Sequence, residues 1–456
     1  MANFKIYSVN PETKENAILF YDNKTSLLTN SEGCSLVSQL QVTPQSSAPV
    51  TSRDTPLGKT SPRILKISLG LSCNYECEYC SQRFVHRSDE TNPDDVAEFI
   101  SGLDDWITSP PDAVEFWGGE PMVYIKTLRP LANEIRRKFP VTRLSVITNG
   151  SLLTPEINQW LDETGFVVSI SHDGPGQHVR GPDPLADPGK REAILDLYSR
   201  LSPSGRISFN SMVHRENQSR AEIQKFFVDL TGDRHVPIGE GAFVDAYDEG
   251  GLALSLPIED AAYFRGMAFH EIRSGQVRSI SGVRDRLMSF INSLRTRRPA
   301  SSIAQKCGMD SPEALAIDLR GNVLTCQNVS AVSFAPNKES HRIGHVTDLA
   351  NVKLNTSTHW SMREECPDCP MLQICRGACM FLEGDLWSAS CDNSYSDSVP
   401  IFAAGIEFLT GLIPVRIEGP HRLSRHDLWP SKPHKSKRVI PIKAAPASAS
   451  ASASAA

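Results

Sequence analysis

Residues 64–80 read Ile64-Leu65-Lys66-Ile67-Ser68-Leu69-Gly70-Leu71-Ser72-Cys73-Asn74-Tyr75-Glu76-Cys77-Glu78-Tyr79-Cys80. The first eight form an apolar, strand-like run, and the last eight set three cysteines at C-x3-C-x2-C spacing on one short loop. Three thiolates so placed can hold three irons of a cubane. No fourth cysteine lies nearby, whereas protein iron–sulfur clusters are ordinarily ligated by cysteine throughout, so the open iron is a place for chemistry. The alternatives for the triplet alone are a zinc knuckle or three unrelated thiols.

Outward from this loop, strand-like runs recur at Val114–Trp117, Leu144–Thr148, Val167–Ser171, Ile207–Met212 and Gly241–Ala246. Helical stretches lie between them. Asn92-Pro93 and Thr154-Pro155 each pair an N-cap residue with proline at the first helical position. Six β/α repeats predict an α/β fold with a parallel sheet, a partial (β/α)6 TIM-like barrel rather than a closed eight-stranded one. Such folds carry their chemistry at the C-terminal strand ends, and the cysteine loop follows the first strand.

The other strand ends also carry motifs. Gly118-Gly119-Glu120-Pro121 closes the second, with glycine permitting close backbone approach to a ligand. Thr148-Asn149-Gly150 closes the third and Ser171-His172-Asp173-Gly174-Pro175 the fourth, while Asn210 lies in the fifth. Each by itself reads equally as turn chemistry. Of eleven cysteines, Cys34 stands alone, three fall at 73–80 and seven between 307 and 391. Thiols grouped in this way in a large chain read as ligand sets rather than a disulfide framework. The last seven run Cys307-x13-Gly321-x4-Cys326, then Cys366-x2-Cys369-x5-Cys375-x3-Cys379, then Cys391. Asp318–Asn322 reads as a hairpin turn between Ala314–Ile317 and Val323–Thr325, with Gly321 supplying positive φ. Zinc ribbons are the alternative for the C-x2-C pair.

Taken together, the triplet, the GGEP segment and the seven-cysteine spacing resemble radical S-adenosylmethionine (SAM) enzymes with a SPASM domain, such as peptide maturases and anaerobic sulfatase-maturating enzymes. The resemblance covers roughly residues 61–395. It implies that Cys73, Cys77 and Cys80 hold a [4Fe–4S] cluster whose open iron chelates SAM. An electron then cleaves SAM to a 5′-deoxyadenosyl radical. It further implies SAM contacts from Tyr79, Gly118, Gly119, Glu120, Pro121, Asn149, Ser171 and Asn210. By the same resemblance Cys366, Cys369, Cys375 and Cys391 hold one auxiliary [4Fe–4S] cluster, and Cys307, Cys326 and Cys379 hold another, three clusters in all. Ala304-Gln305-Lys306 stands where some relatives place a further cysteine, which leaves an iron of that cluster without a thiolate. Sulfatase maturases carry a catalytic Asp directly after the cysteine matching Cys326, and this chain has Gln327, which disfavours formylglycine formation. His172 replaces a residue that is usually apolar, and a structural hydrogen bond or proton exchange are its two readings.

The implied function is oxidation of a ribosomally made peptide, leaving a cross-link, with a low-potential flavodoxin- or ferredoxin-type electron donor. Rivals are oxidation of a small metabolite and a non-catalytic iron–sulfur relay or binding partner. A net charge of −6 argues against nucleic acid. No apolar run approaches the ~20 residues of a spanning helix and no signal-peptide core is seen, so a cytoplasmic location is expected. The expected layout is a β-element at 1–41, a linker at 42–62 and the barrel at 63–300. The SPASM domain follows at 301–400, with a C-terminal packing segment, a closing helix at 401–414, within 401–429. A disordered tail at 430–456 ends the chain.

Overall fold

The computed structural model describes residues 3–40, 55–83, 92–335, 338–354 and 358–430. The expected tail, beyond residue 430, and most of the expected linker lie outside them. Three strands open the chain: β1 (Asn3–Val9), β2 (Asn16–Asp22) and β3 (Leu27–Thr29). The central unit alternates β4 (Ile64–Ser68), α1 (Asp95–Trp106), β5 (Ala113–Trp117), α2 (Ile125–Lys138), β6 (Arg143–Thr148), α3 (Pro155–Glu163), β7 (Phe166–Ser171), α4 (Pro188–Leu201), β8 (Ile207–Val213), α5 (Arg220–Thr231) and β9 (Ile238–Phe243). Then come α6 (Glu249–Ala253), α7 (Ile258–Arg273), α8 (Ser281–Thr296), β10 (Ala314–Asp318), β11 (Asn322–Leu324), β12 (Arg342–His345), α9 (Leu372–Cys375), α10 (Gly384–Thr410) and β13 (Ile413–Glu418).

Strands β4 to β9 are mutually parallel and adjacent in chain order, the β/α pattern expected. Alternation explains why they stand as strands. Leu65 and Ile67, Val114 and Phe116, Leu144 and Val146, and Phe166, Val168 and Ile170 are buried in one core with Phe99, Leu128 and Leu197 of the helices. The alternate positions, such as Lys66, Glu115, Ser169, Ser208 and Asn210, turn polar groups to the other face, where Lys66 pairs with Glu115 at 3.4 Å. Thr154 caps α3 through Ile157 N as its sequence predicts. In contrast, α1 begins at Asp95, with Asn92 Oδ1 accepting from Asp94 N just ahead of it.

Four features differ from the sequence expectation. The sixth strand begins three residues earlier, because Ile238 is buried and pairs with Phe209. The hairpin β10–β11 adds to the barrel sheet, β10 running parallel to β4, so the cysteine-rich segment extends a nine-stranded sheet. Residues 55–62 are part of the fold: Leu57 is buried, and Lys59 donates from Nζ to the carbonyls of Met309 and Ser311 at 2.9 Å. Finally, the closing helix starts at Gly384, so residue 400 is mid-helix, and residues 413–418 form a strand instead. That strand joins the N-terminal element in a sheet of order β13-β1-β2-β3. Asp397 of α10, fully buried, accepts from Arg220 of α5 and, at 2.7 Å, from Arg286 of α8, fastening this helix to the last barrel strands.

Candidate active site

The cysteine loop leaves β4 pressed against the end of β5. Gly119 N donates to Gly70 O and Glu120 N to Ser72 O, both at 3.0 Å, and Ser72 N donates to Tyr124 Oη at 2.7 Å. A Cβ at Gly118 would lie 2.8 Å from Gly70 O, and one at Gly119 would lie 2.6 Å from Leu71 O. The two glycines are therefore required by the backbone of the cysteine loop itself.

Glu120 turns its carboxylate inward. Its Oε1 accepts from Met122 N (3.1 Å) and Thr148 Oγ1 (2.6 Å), and its Oε2 accepts from Asn149 N (2.7 Å). Burial raises its pKa against the pull of these donors. Asn149 Nδ2 donates to Asn74 Oδ1, Asn74 Nδ2 to Ser151 Oγ, and Ser151 Oγ back to Asn149 Oδ1 at 2.6–2.8 Å. This closed ring locks the cysteine loop onto the third strand end. Tyr79 is held from the other side. Its hydroxyl donates to Asp173 Oδ2 at 2.5 Å and accepts from Arg180 Nη1 at 2.6 Å, while Asp173, wholly buried, also accepts from Met212 N.

Burial raises the pKa of all three thiols, Cys77 to about 12, and Arg180 opposes it in each case. Arg180 itself stays charged: burial disfavours its cation, but Tyr79, Asp173 and Cys77 outweigh that. The loop thus presents thiols in a low-dielectric site with a fixed cation beside them, ready to be deprotonated by a metal centre.

One cavity of about 570 Å³ gathers the candidate residues: Cys73, Cys77, Tyr79, Cys80, Gly118, Gly119, Glu120, Pro121, Asn149, Ser171 and Asn210 all line it. Buried polar atoms around it, Asn210 Oδ1, Gln82 Nε2, Arg180 Nε and Asp245 Oδ1, have no hydrogen-bond partner among the described residues. Such atoms are costly unless a ligand meets them, so the lining fits a polar cofactor beside the thiols. His172 takes the structural reading: Nε2 pairs with Asp183 Oδ1 at 3.0 Å and Nδ1 accepts from Gly174 N. The far wall carries Gln327, Asn328, Asp245 and Tyr247. Burial raises the Asp245 carboxyl, opposed by Lys306 at 3.9 Å.

The seven later cysteines fall into two groups. Cys366, Cys369, Cys375 and Cys391 line one small cavity with Arg425, Tyr395 and Trp387. Cys307, Cys326 and Cys379 act electrostatically on one another, and Tyr247 bonds to Cys379. Burial raises Cys307 and Cys369 to about 12. Among the described residues no three His, Cys, Asp or Glu converge as they would on a single metal ion. Cys34 is exposed on the turn after β3 and lines none of these spaces. Sequence reading missed Arg180, Asp245, Tyr247 and Arg425; none lies in a motif whose spacing betrays it.

The sequence matches the radical SAM superfamily over residues 67–227. A relative, the radical SAM cyclopropyl synthase TigE of Paramaledivibacter caminithermalis, is 27% identical over 179 residues, 35% of this chain and 37% of that protein. The serine-type anaerobic sulfatase-maturating enzyme of Bacteroides thetaiotaomicron is 30% identical over 118 residues, 24% of this chain and 28% of that one. The chain thus spans little more than a third of the first relative's length. Among solved structures, native anSMEcpe with bound AdoMet and Cp18Cys peptide superposes with a TM-score of 0.53 at 18% identity, covering 76% of this chain and 99% of that chain. The fold is therefore the radical SAM α/β fold. Residues 67–227 thus carry the radical SAM match within that fold.

No helix among the described residues is long and apolar enough to cross a membrane.

Proposed function

We propose that this enzyme is a radical SAM/SPASM maturase that oxidises a ribosomally made peptide and leaves a cross-link. SAM, bound to a [4Fe–4S] cluster on Cys73, Cys77 and Cys80, would supply a 5′-deoxyadenosyl radical able to take hydrogen from an unactivated C–H bond. The chain's part is orientation and electrostatics. Asn210 and Ser171 offer polar atoms to the cofactor, and Arg180 balances the charge of the thiolates. Glu120 and the Asn149–Asn74–Ser151 ring hold the loop still. Cys366, Cys369, Cys375 and Cys391 would hold one auxiliary cluster, and Cys307, Cys326 and Cys379 the other.

The observation that carries the reading is the reach of the cavity, from the cysteine triplet to Gln327 and Asn328 beside Cys326. Glu240 also lines a second space of about 290 Å³ that touches Cys375. An open, long site with polar and apolar lining suits a peptide segment better than it suits a small metabolite. Formylglycine formation is set aside because Gln327 lines the site and an amide cannot act as a base.

The test is anaerobic incubation of reconstituted protein with SAM, dithionite and the short peptide encoded beside its gene, with 5′-deoxyadenosine and peptide mass as readouts. Loss of two hydrogens from the peptide is expected, and a flavodoxin or ferredoxin should replace dithionite. Deoxyadenosine without peptide change, but with an oxidised amino-sugar alcohol, would move the reading to a metabolite dehydrogenase. No deoxyadenosine at all would sink it in favour of an iron–sulfur relay.

A further inference from the structure

Each thiol group has a cation acting on it. Arg180 opposes the raised pKa of the triplet, Lys66 does so at Cys307 and Cys326, and Arg425 at Cys369 and Cys391. Arg425 goes further than charge. Its Nη2 donates directly to Cys391 Sγ at 3.3 Å, and only 7% of its side chain is exposed.

Its placement is built by one stretch of α10. Cys391 presents the sulfur, Asp392 pairs with the guanidinium, and Tyr395, one turn on, lays its ring 4.6 Å from it. The Tyr395 hydroxyl then donates to Arg425's own carbonyl at 2.8 Å. The guanidinium is thus fixed on both its side chain and its backbone, against the small cavity lined by all four thiols. Glu365 lines the same cavity and adds negative charge at Cys391, and the other group is likewise mixed in charge. Tyr247 offers Cys379 a neutral hydroxyl, and Asp245 and Asp310 add negative charge that offsets Lys66 and Lys306.

Positive charge and hydrogen bonds to sulfur favour the reduced, more negative state of a cluster, and in a low-dielectric interior they act with little screening. We propose that Arg425 is a positioning residue that raises the reduction potential of the cluster on Cys366, Cys369, Cys375 and Cys391 through its hydrogen bond to Cys391. The proposal rests on reading the seven later cysteines as cluster ligands.

The experiment is an EPR-monitored redox titration of the full chain, anaerobically reconstituted, in a Cys73→Ala/Cys77→Ala/Cys80→Ala background that removes the third cluster's signal. Arg425→Gln should lower one of the two potentials by at least a tenfold change in the oxidised-to-reduced ratio, 59 mV for one electron, and leave the other in place. Arg425→Lys should fall between. Full iron content in Arg425→Gln with both potentials unmoved would overturn the proposal. If Arg425→Gln loses iron, Arg425→Lys, which keeps the charge and shortens the reach to Cys391, decides: both potentials unmoved in it would overturn the proposal. Reconstituted chain holding no four-iron clusters would instead overturn the ligand reading, visible by iron and sulfide analysis before any titration.

Discussion

Replacing Gly119 by alanine tests whether the GGEP glycines are required by the cysteine loop. The new Cβ would stand 2.6 Å from both Leu71 O and the carbonyl carbon of Ser72. Ordinary contact begins at roughly 3.5 Å, so loop and strand end must part by about 1 Å. Both obstacles are backbone, so no side chain can swing aside. The displacement strains two hydrogen bonds, Gly119 N to Gly70 O and Glu120 N to Ser72 O. Overpacking costs about 1–3 kcal/mol and each hydrogen bond about 1 kcal/mol net, a local loss of roughly 3–5 kcal/mol. A shift of about 1 Å in a catalytic element also costs on the order of a hundredfold in rate. Chemical denaturation, iron content and deoxyadenosine production would be measured beside Gly102→Ala. That glycine lies in α1 with nothing within 4 Å of its would-be Cβ, and alanine there should be neutral or stabilising by about 0.5–1 kcal/mol. Gly119→Ala protein with wild-type stability, iron and cleavage rate would refute the argument.

Reconstituted protein should hold about twelve irons and as many sulfides, three four-iron clusters, by elemental analysis. Cys73→Ala, Cys77→Ala or Cys80→Ala should each abolish deoxyadenosine formation, whereas Cys366→Ala and Cys391→Ala should lose peptide product more completely than SAM cleavage. Cluster loading should strengthen as pH rises across 6.5–8.5. Burial raises Cys77, Cys307 and Cys369 to about 12, so each must release a proton to bind, and higher pH favours that release; iron retained after gel filtration at each pH checks it. Asp397→Ala should cost about 3–5 kcal/mol in denaturant unfolding, because Arg220, 2% exposed, is left without its buried partner.

What could be read from the chain divides along a physical line. The barrel strands announce themselves because alternate residues meet different environments, and that period is written locally. The cysteine triplet and the GGEP segment are legible because metal and backbone geometry fix short spacings. The start of α10 is not. Its residues 395–406 are buried at every position, so no polar stripe marks a helical period, and the polar stretch ahead of it hides Gly384 as a beginning. The pairing of β1 with β13 joins residues about 400 positions apart, which no local pattern can specify.

Arg425 shows the same division at the level of chemistry. The cysteine triplet can be recognised by spacing because all its members lie on one short stretch of chain. The counter-charge of a thiolate set can come from any element that packs nearby, and for Cys391 it comes from a turn 34 residues past that cysteine. The arginine needs α10 to hold Asp392 and Tyr395 in place, and α10 needs Asp397 to hold it against Arg220 and Arg286. The electrostatics of the cysteine-rich region therefore depend on the helix that closes the barrel. A substitution at Asp397 should loosen Arg425 from Cys391 even though it touches neither residue.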